Sequence, residues 1–545
     1  MGSGKNKARS ALRNRIVMGA ALAPLIFAGA AAAQTAAPTP DLQAQVKALT
    51  AMVQRLSEHD QALEAKVQTL QARLDHASDQ SAVASNTGGQ SAAPRAQQNA
   101  APGFQLGSTN GPSIATSSTP AEPRVAQNET HIFNLSSPDG QYTIGFTGVA
   151  QFDTGDYLNF SPKSRYVGPQ EVSNGVNARR ARIGFTGKAA GDWSYAFVYD
   201  AGGNQDTTSR GLETAQIVYG GFKGVALEIG YSNTFFTLDQ STSSNDLTFL
   251  ERASPSNIAT NFNTGDNRSN LGVRFFGDRY WIGGYLTGPV ASSDSHTNVG
   301  ERLGSFQRAA FQVLKGKDYS VHLGVGVDEL IEGPTTGAGT PQTLSLSDQP
   351  ELRIDPTTLL NTCTIGTATH PLSGGQVYDI ETAATFRSIF WQGEYYHYAV
   401  ERRGLNSASF DGGYGQLAWA LTGEARRYNP QAGSYYRIFP THPFSLKDGG
   451  LGAIELAGRI SYIDLNSSYN RLLSLTSQPQ AINGGRQAGY TLGLNWYPND
   501  LLRFMLDYNH IIFDKANGAA VTGAAVGVPI GDTFDAISMR AQIVF

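Results

Sequence analysis

The 545 residues contain a single cysteine, Cys363. No internal disulfide can form, so an exported fold built from this chain must hold without the bonds on which small exported domains depend. Past the N-terminus no run of about 18 apolar residues occurs, which removes any further membrane-spanning helix. Charge is sparse: Asp, Glu, Lys and Arg make up 16% of the chain and sum to −4 at neutral pH. That balance excludes the broadly basic surface a nucleic-acid-binding protein needs. Catalytic constellations are missing as well. The nine histidines are scattered, and although His322 and His397 fall in strand-like segments, periodicity brings no serine beside them. There is no Gly-Lys phosphate loop and no cluster with metal-ligand spacing. The sequence therefore predicts no enzyme, no metal and no other cofactor.

Tyrosine and tryptophan are missing from one part only. All five Trp and every Tyr lie after position 140, while the first 130 residues are rich in Ala, Gln, Ser and Pro. Only the C-terminal part can build a large apolar surface. At the start, Lys5, Lys7, Arg9, Arg13 and Arg15 form a basic head. Ile16 to Ala30 is an apolar stretch interrupted by Pro24, and Ala31-Ala32-Ala33 offers a small-residue cleavage site before Gln34. This pattern predicts a secretory signal peptide over 1–33.

From 41 to 75 apolar residues recur at spacings of 3 and 4. Leu42, Leu49, Leu56, Leu63 and Leu70 form one set; Val46, Val53, Val67 and Leu74 form the other, broken by Asp60. Such a heptad predicts a short α-helical coiled coil, and Val at one position with Leu at the other favours two strands. Residues 76–130 are low-complexity, as in Thr116-Ser117-Ser118-Thr119-Pro120. They cannot bury enough apolar area to offset their ordering entropy and read as a flexible linker.

Within 131–545 the period changes to 2. Tyr319, Val321, Leu323, Val325 and Val327 alternate with Ser320, His322, Gly324, Gly326 and Asp328. The segment Asp192 to Asp200 repeats the scheme with Trp193, Tyr195, Phe197 and Tyr199 on one side. The segments reach the roughly 9–11 residues a tilted strand needs to cross a bilayer. Aromatics gather at strand ends, as interfacial girdles require. The chain closes on Ile537, Met539, Ala541, Ile543 and Phe545, which face away from Ser538, Arg540, Gln542 and Val544. A soluble protein ending on such a strand would invite edge pairing, whereas a closed sheet satisfies every backbone group in lipid. The expected fold class is an all-β transmembrane barrel of 16 antiparallel strands, with 14 or 18 also fitting the length. Phe545 is the expected signal to the barrel-assembly machinery.

Several motifs resemble the phosphate-selective porin O and P family across most of 131–545. They are Asn177-Ala178-Arg179-Arg180-Ala181-Arg182, the run from Ser243 to Arg252 (SSNDLTFLER), Leu421-Thr422-Gly423-Glu424, the run from Gly452 to Arg459 (GAIELAGR), the run from Leu494 to Asn499 (LNWYPN), and Met539-Arg540-Ala541-Gln542. The resemblance implies a sixteen-stranded homotrimer in the outer membrane of a Gram-negative bacterium, passing anions passively. It also implies an infolded loop that narrows the lumen. Ser243, Ser244, Asn245, Asp246, Glu251 and Arg252 are the expected constriction residues.

Alternation places the charges. With Ile183 and Phe185 toward lipid, Arg180, Arg182 and Lys188 face the lumen; Arg274 and Arg308 do likewise in their segments. A charge on the lipid face would cost about 2–4 kcal/mol at mid-depth. These residues and Arg353 are the anion-selecting candidates, and pairing with Asp200, Glu228 or Glu394 is the competing use for them. The chain departs from the family where an arginine stripe would stand. Thr343 to Asp355 offers only Arg353 beside Asp348, Glu351 and Asp355, and Ser232-Asn233-Thr234 supplies no base. The expected function is passive diffusion of small anions or other small solutes, with phosphate or polyphosphate as candidates. The alternative is an envelope tether or trimer clamp, its coiled coil in the periplasm, with non-selective diffusion.

Overall fold

The computed structural model describes residues 124–126, 134–160, 172–202, 211–263, 265–291, 302–333, 335, 340–516, 526 and 529–545. The expected signal peptide (1–33) and coiled coil (41–75) lie outside the described residues, as does most of the expected linker. Sixteen long strands make up the sheet: β1 Thr143–Leu158, β2 Gly175–Ala189, β3 Trp193–Asp200, β4 Leu212–Tyr219, β5 Val225–Asn233, β6 Asn267–Gly277, β7 Tyr280–Thr287, β8 Leu303–Lys315, β9 Tyr319–Glu332, β10 Leu372–Phe386, β11 Ile389–Arg402, β12 Ala408–Ala420, β13 Ala453–Ser467, β14 Ile482–Tyr497, β15 Leu502–Asp514 and β16 Asp532–Val544. Each pairs antiparallel with the next, and β16 pairs back onto β1 from Asp535↔Leu158 to Val544↔Val149. The sheet is a closed barrel.

Alternation sorts the side chains. In β16, Ile537, Met539, Ala541 and Ile543 are exposed on the outer wall while Ser538, Arg540 and Gln542 are buried inside. In β9, Leu323 and Val325 face out while His322 and Asp328 are buried. Polar residues are thus on the inner face, the reverse of a soluble core, because the outer face meets lipid. Tyr395, Tyr462, Tyr490 and Tyr508 are exposed on the outer wall, where amphipathic rings suit a membrane interface.

The two ends differ. Connections 190–192, 278–279, 316–318 and 387–388 are tight turns at one end; 234–266 and 333–371 are long loops at the other. Segment 421–452 breaks this asymmetry, since it is long yet joins β12 to β13 at the short-turn end. At the seam, β16 stops short of the start of β1. Phe545 exchanges two backbone hydrogen bonds with Gly148, of 2.7 and 2.9 Å. A Cβ at Gly148 would stand 2.2 Å from the Phe545 ring, so glycine is what lets the terminal aromatic lie across β1. Below it, Asn134–Ser136 pairs with Thr143–Gly145 of β1, and Arg124–Ala126 pairs with Asn134–Ser136. Arg124–Ala126 falls in the stretch read from sequence as linker, yet it extends the sheet.

Cys363 is exposed in loop 333–371, at the long-loop end, which in such barrels faces outward. A membrane-impermeant maleimide is expected to label it on intact cells. Labelling only after the outer membrane is permeabilised would reverse the orientation.

Candidate functional site

The lumen is narrowed from both ends. Loop 234–266 enters from the long-loop end and carries two short helices, α1 Leu238–Ser241 and α2 Ser254–Asn261. Thr237 caps α1, its Oγ1 accepting from the Gln240 amide at 3.0 Å. Glu394 of β11 completes that end, accepting from the amides of Leu238 at 2.7 Å and Asp239 at 3.1 Å and from the Tyr414 hydroxyl at 2.5 Å. Unbonded helix-start amides are ready partners for a carboxylate. Glu394 was expected to pair with an inward arginine; it holds a helix end instead.

The stretch Ser243–Arg252 runs across the interior and hangs from the wall by its own carbonyls. Arg540 donates to the carbonyl of Leu250 at 2.7 Å and Arg459 to that of Glu251 at 2.8 Å. Asn495 donates to the Thr248 carbonyl at 2.9 Å and Gln542 to that of Asn245 at 3.1 Å. Glu251 is the charged knot of this arrangement. Arg179 binds it with two bonds, of 2.8 and 3.0 Å, Arg540 approaches at 2.9 Å and Arg353 at 3.5 Å. Burial alone would raise the Glu251 carboxyl, but the Arg179 guanidinium, with Arg540 beside it, outweighs that and holds it well below the usual carboxylate range. Of the other expected constriction residues, Asp246 takes Arg437 at 2.9 Å and Arg252 takes Asp239 at 3.2 Å. Ser243, Ser244 and Asn245 stay half-exposed to the lumen.

From the short-turn end, segment 421–452 folds inward and meets this loop. Its small two-stranded piece pairs Tyr428–Asn429 with Ser434–Tyr435. The Ser434 hydroxyl donates to the Ser241 carbonyl at 3.0 Å, joining the two inserts directly. Arg308 of β8 fastens both. Its guanidinium contacts Glu381 at 2.8 Å, the Ser241 hydroxyl at 2.8 Å, and the carbonyls of Ala432 and Gly433 at 2.9 and 2.7 Å. All of its N–H groups are engaged by protein groups, which makes Arg308 a fastener of both inserts.

The remaining expected arginines face the lumen and carry partners too. Arg182 pairs with Asp200 at 2.8 Å and Glu213 at 2.7 Å. Arg274 pairs with Glu228 at 2.9 Å, donates to the Gln431 carbonyl at 2.8 Å and lies 5.0 Å from the Phe235 ring centre. Arg353 pairs with Asp348 at 3.0 Å. Arg180 is buried and donates to Gln151 at 2.8 Å, and Lys188 is half-buried near the short-turn end. Among the described residues no carboxylate lies within ion-pair distance of either.

Arg179, Arg426, Arg437, Arg459 and Arg540 were not singled out from sequence. Arg179 escapes strict alternation because the β1–β2 register shifts between Gln151↔Arg180 and Asp153↔Asn177, and the bulge turns both Arg179 and Arg180 inward. Arg540 had a legible signal, its place opposite the apolar face of the last strand. Arg426 and Arg437 sit in segment 421–452, which carries no periodicity.

For a metal, Asp379, Glu381 and Glu394 bring their oxygens within 4.8 Å of one another. Glu381 is already engaged by Arg308 and by His322 at 2.9 Å, and Glu394 by α1. Two of the three carboxylates are thus committed to protein groups, while both oxygens of Asp379 are buried without a hydrogen-bond partner, and no ion site is drawn from the set.

Losing Glu251 would leave Arg179 and Arg540 buried with part of their charge unmatched, a change typically worth about 3–5 kcal/mol. Glu251→Ala is expected to loosen the loop, raising single-channel conductance and its noise in planar bilayers; an unchanged conductance trace would refute that role. Asp348 supplies a pH test. Burial, offset in part by Arg353, pushes its carboxyl up to about 7. A raised carboxyl binds its proton more readily in the folded state, so its stabilising contribution is complete below about 4 and declines as pH rises through 7. The thermal stability of Asp348→Asn relative to the parent protein is expected to rise across that window in detergent. A flat difference would contradict the assignment.

Residues 154–545 match the model of the family described as phosphate-selective porin O and P. An uncharacterized protein of Caulobacter vibrioides is 27% identical over 68% of this chain and 72% of its own. Porin O of Pseudomonas aeruginosa is 23% identical over 70% of this chain and 85% of its own. Among solved structures, the trimer form of OmpT, an outer membrane protein of Vibrio cholerae, is similar at 10% identity and a TM-score of 0.44, covering 74% of this chain and 99% of that one.

Proposed function

Since the chain belongs to the phosphate-selective porin O and P family, we propose that it is a passive diffusion channel of the outer membrane for small hydrophilic solutes. The observation that carries this reading is a closed barrel whose lumen is narrowed by inserts fastened to the wall, with no moving part or energy source required. The anion preference is proposed as a weak one. Arg180 and Lys188 favour it, since no carboxylate among the described residues offsets them at contact distance. Arg182, Arg274, Arg308 and Arg353 do not, because an ion approaching a guanidinium already matched by a carboxylate meets little net field. Selective capture of phosphate or polyphosphate, which needs several unmatched cations in succession, is not part of the proposal.

The assembly is proposed as a homotrimer embedded in outer-membrane lipid, delivered through recognition of Phe545 by the barrel-assembly machinery. Its N-terminal coiled coil would then lie in the periplasm, since the sheet begins with Arg124–Ala126 and Asn134–Ser136 beside the short-turn end of β1. No observation favours the tether or clamp as the principal role.

Single-channel recording in asymmetric potassium chloride tests the proposal. Expected are ohmic openings with a reversal potential displaced slightly toward that of chloride. Absence of conductance would end the channel reading, and a displacement toward potassium would end the anion preference.

A further inference from the structure

Between loop 234–266, segment 421–452 and the wall from β1 to β6 lies a cavity of about 170 Å³. We infer that this passage is suited to neutral polyhydroxylated solutes, sugars and polyols, and ranks them above anions of equal size; the inference rests on the channel reading above.

Half of its lining residues are Ser, Thr, Asn or Gln. The wall gives Thr186, Thr214 and Gln216, the loop gives Ser244 and Asn245, and the inward segment gives Asn429. Phe235, Tyr435 and Tyr436 add ring surface. A hydroxyl both donates and accepts, as does a side-chain amide, so a solute bearing several hydroxyls can exchange bonds with this lining in any orientation. Aromatic surface between the polar groups suits the C–H faces of such a solute.

The charged side chains on the lining are matched. Arg182 stands against Glu213, Arg274 against Glu228, and Asp246 against Arg437. An anion therefore finds no unmatched cation here, and it meets acceptors.

Uptake of labelled glucose and labelled gluconate by proteoliposomes, with equal salt on both sides, tests this on the intact protein. These solutes are close in size and differ in charge. Glucose is expected to enter severalfold faster than gluconate. Gluconate entering as fast or faster would overturn the inference while leaving the channel reading in place. Salt conductance with no uptake of glucose would also overturn it. Loss of all conductance would instead strike the channel reading. A second arm uses Ser244→Lys, which adds an unmatched cation to a half-exposed lining position. Its ratio of glucose to gluconate uptake is expected to fall severalfold; an unchanged ratio would show that the selecting passage lies elsewhere.

Discussion

Between Val149–Leu158 of β1 and Asp535–Val544 of β16 the sheet meets itself, and with that last ladder every long strand gains two neighbours. In hydrocarbon an unpaired amide or carbonyl costs several kcal/mol, so closure is a condition for the strands to exist in the membrane at all. The seam joins β1 and β16, the two long strands farthest apart in sequence. Two features reinforce it: Phe545 lies over Gly148, and Asn134–Ser136 takes up the edge of β1 that β16 leaves open.

Closure fixes where charge can go. With the outer wall facing lipid, alternation sends most arginines and carboxylates of the strands inward; among the exceptions, Arg486 and Asp514 pair with each other on the outer face at the long-loop end. The lumen then carries more charge than water alone needs to solvate, and the inserted segments use it. Arg540 and Arg459 reach for carbonyls of loop 234–266, Arg308 for those of segment 421–452, and Glu394 for amides of α1. A loop inside a barrel has no sheet to satisfy its backbone, and these side chains supply the missing partners. The narrowing of the pore and the burial of its charges are thus one arrangement.

Period 2 made the strands legible, and in β9 and β16 it gave the facing of each residue correctly. It failed at Arg179, where a bulge admits one extra residue and alternation slips by a position. Segment 421–452 was invisible for a different reason. Its length marks a loop, but its place at the short-turn end follows only from counting strands, and nothing periodic reveals that it turns inward. The partners of the inward arginines were half legible. Asp200 for Arg182 and Glu228 for Arg274 lie on neighbouring strands, within reach of register reasoning. Glu381 and the carbonyls of Ala432 and Gly433 around Arg308 depend on contacts far apart in sequence, which a single chain read in order cannot supply.

A guanidinium that holds a loop is poorly placed to select an anion. To bind phosphate, Arg308 would have to release Glu381 or two insert carbonyls, leaving buried groups unmatched, and the insert itself would move. Short-lived contact with a passing ion gives too little in return for that rearrangement. A stripe of free arginines would avoid the conflict by keeping selection and fastening on different residues. In this chain the stripe is absent from Thr343 to Asp355, and its arginines fasten. The half-exposed Ser243, Ser244 and Asn245 of the loop then present hydroxyls and an amide to the lumen, groups that discriminate by the number and direction of hydrogen bonds rather than by charge.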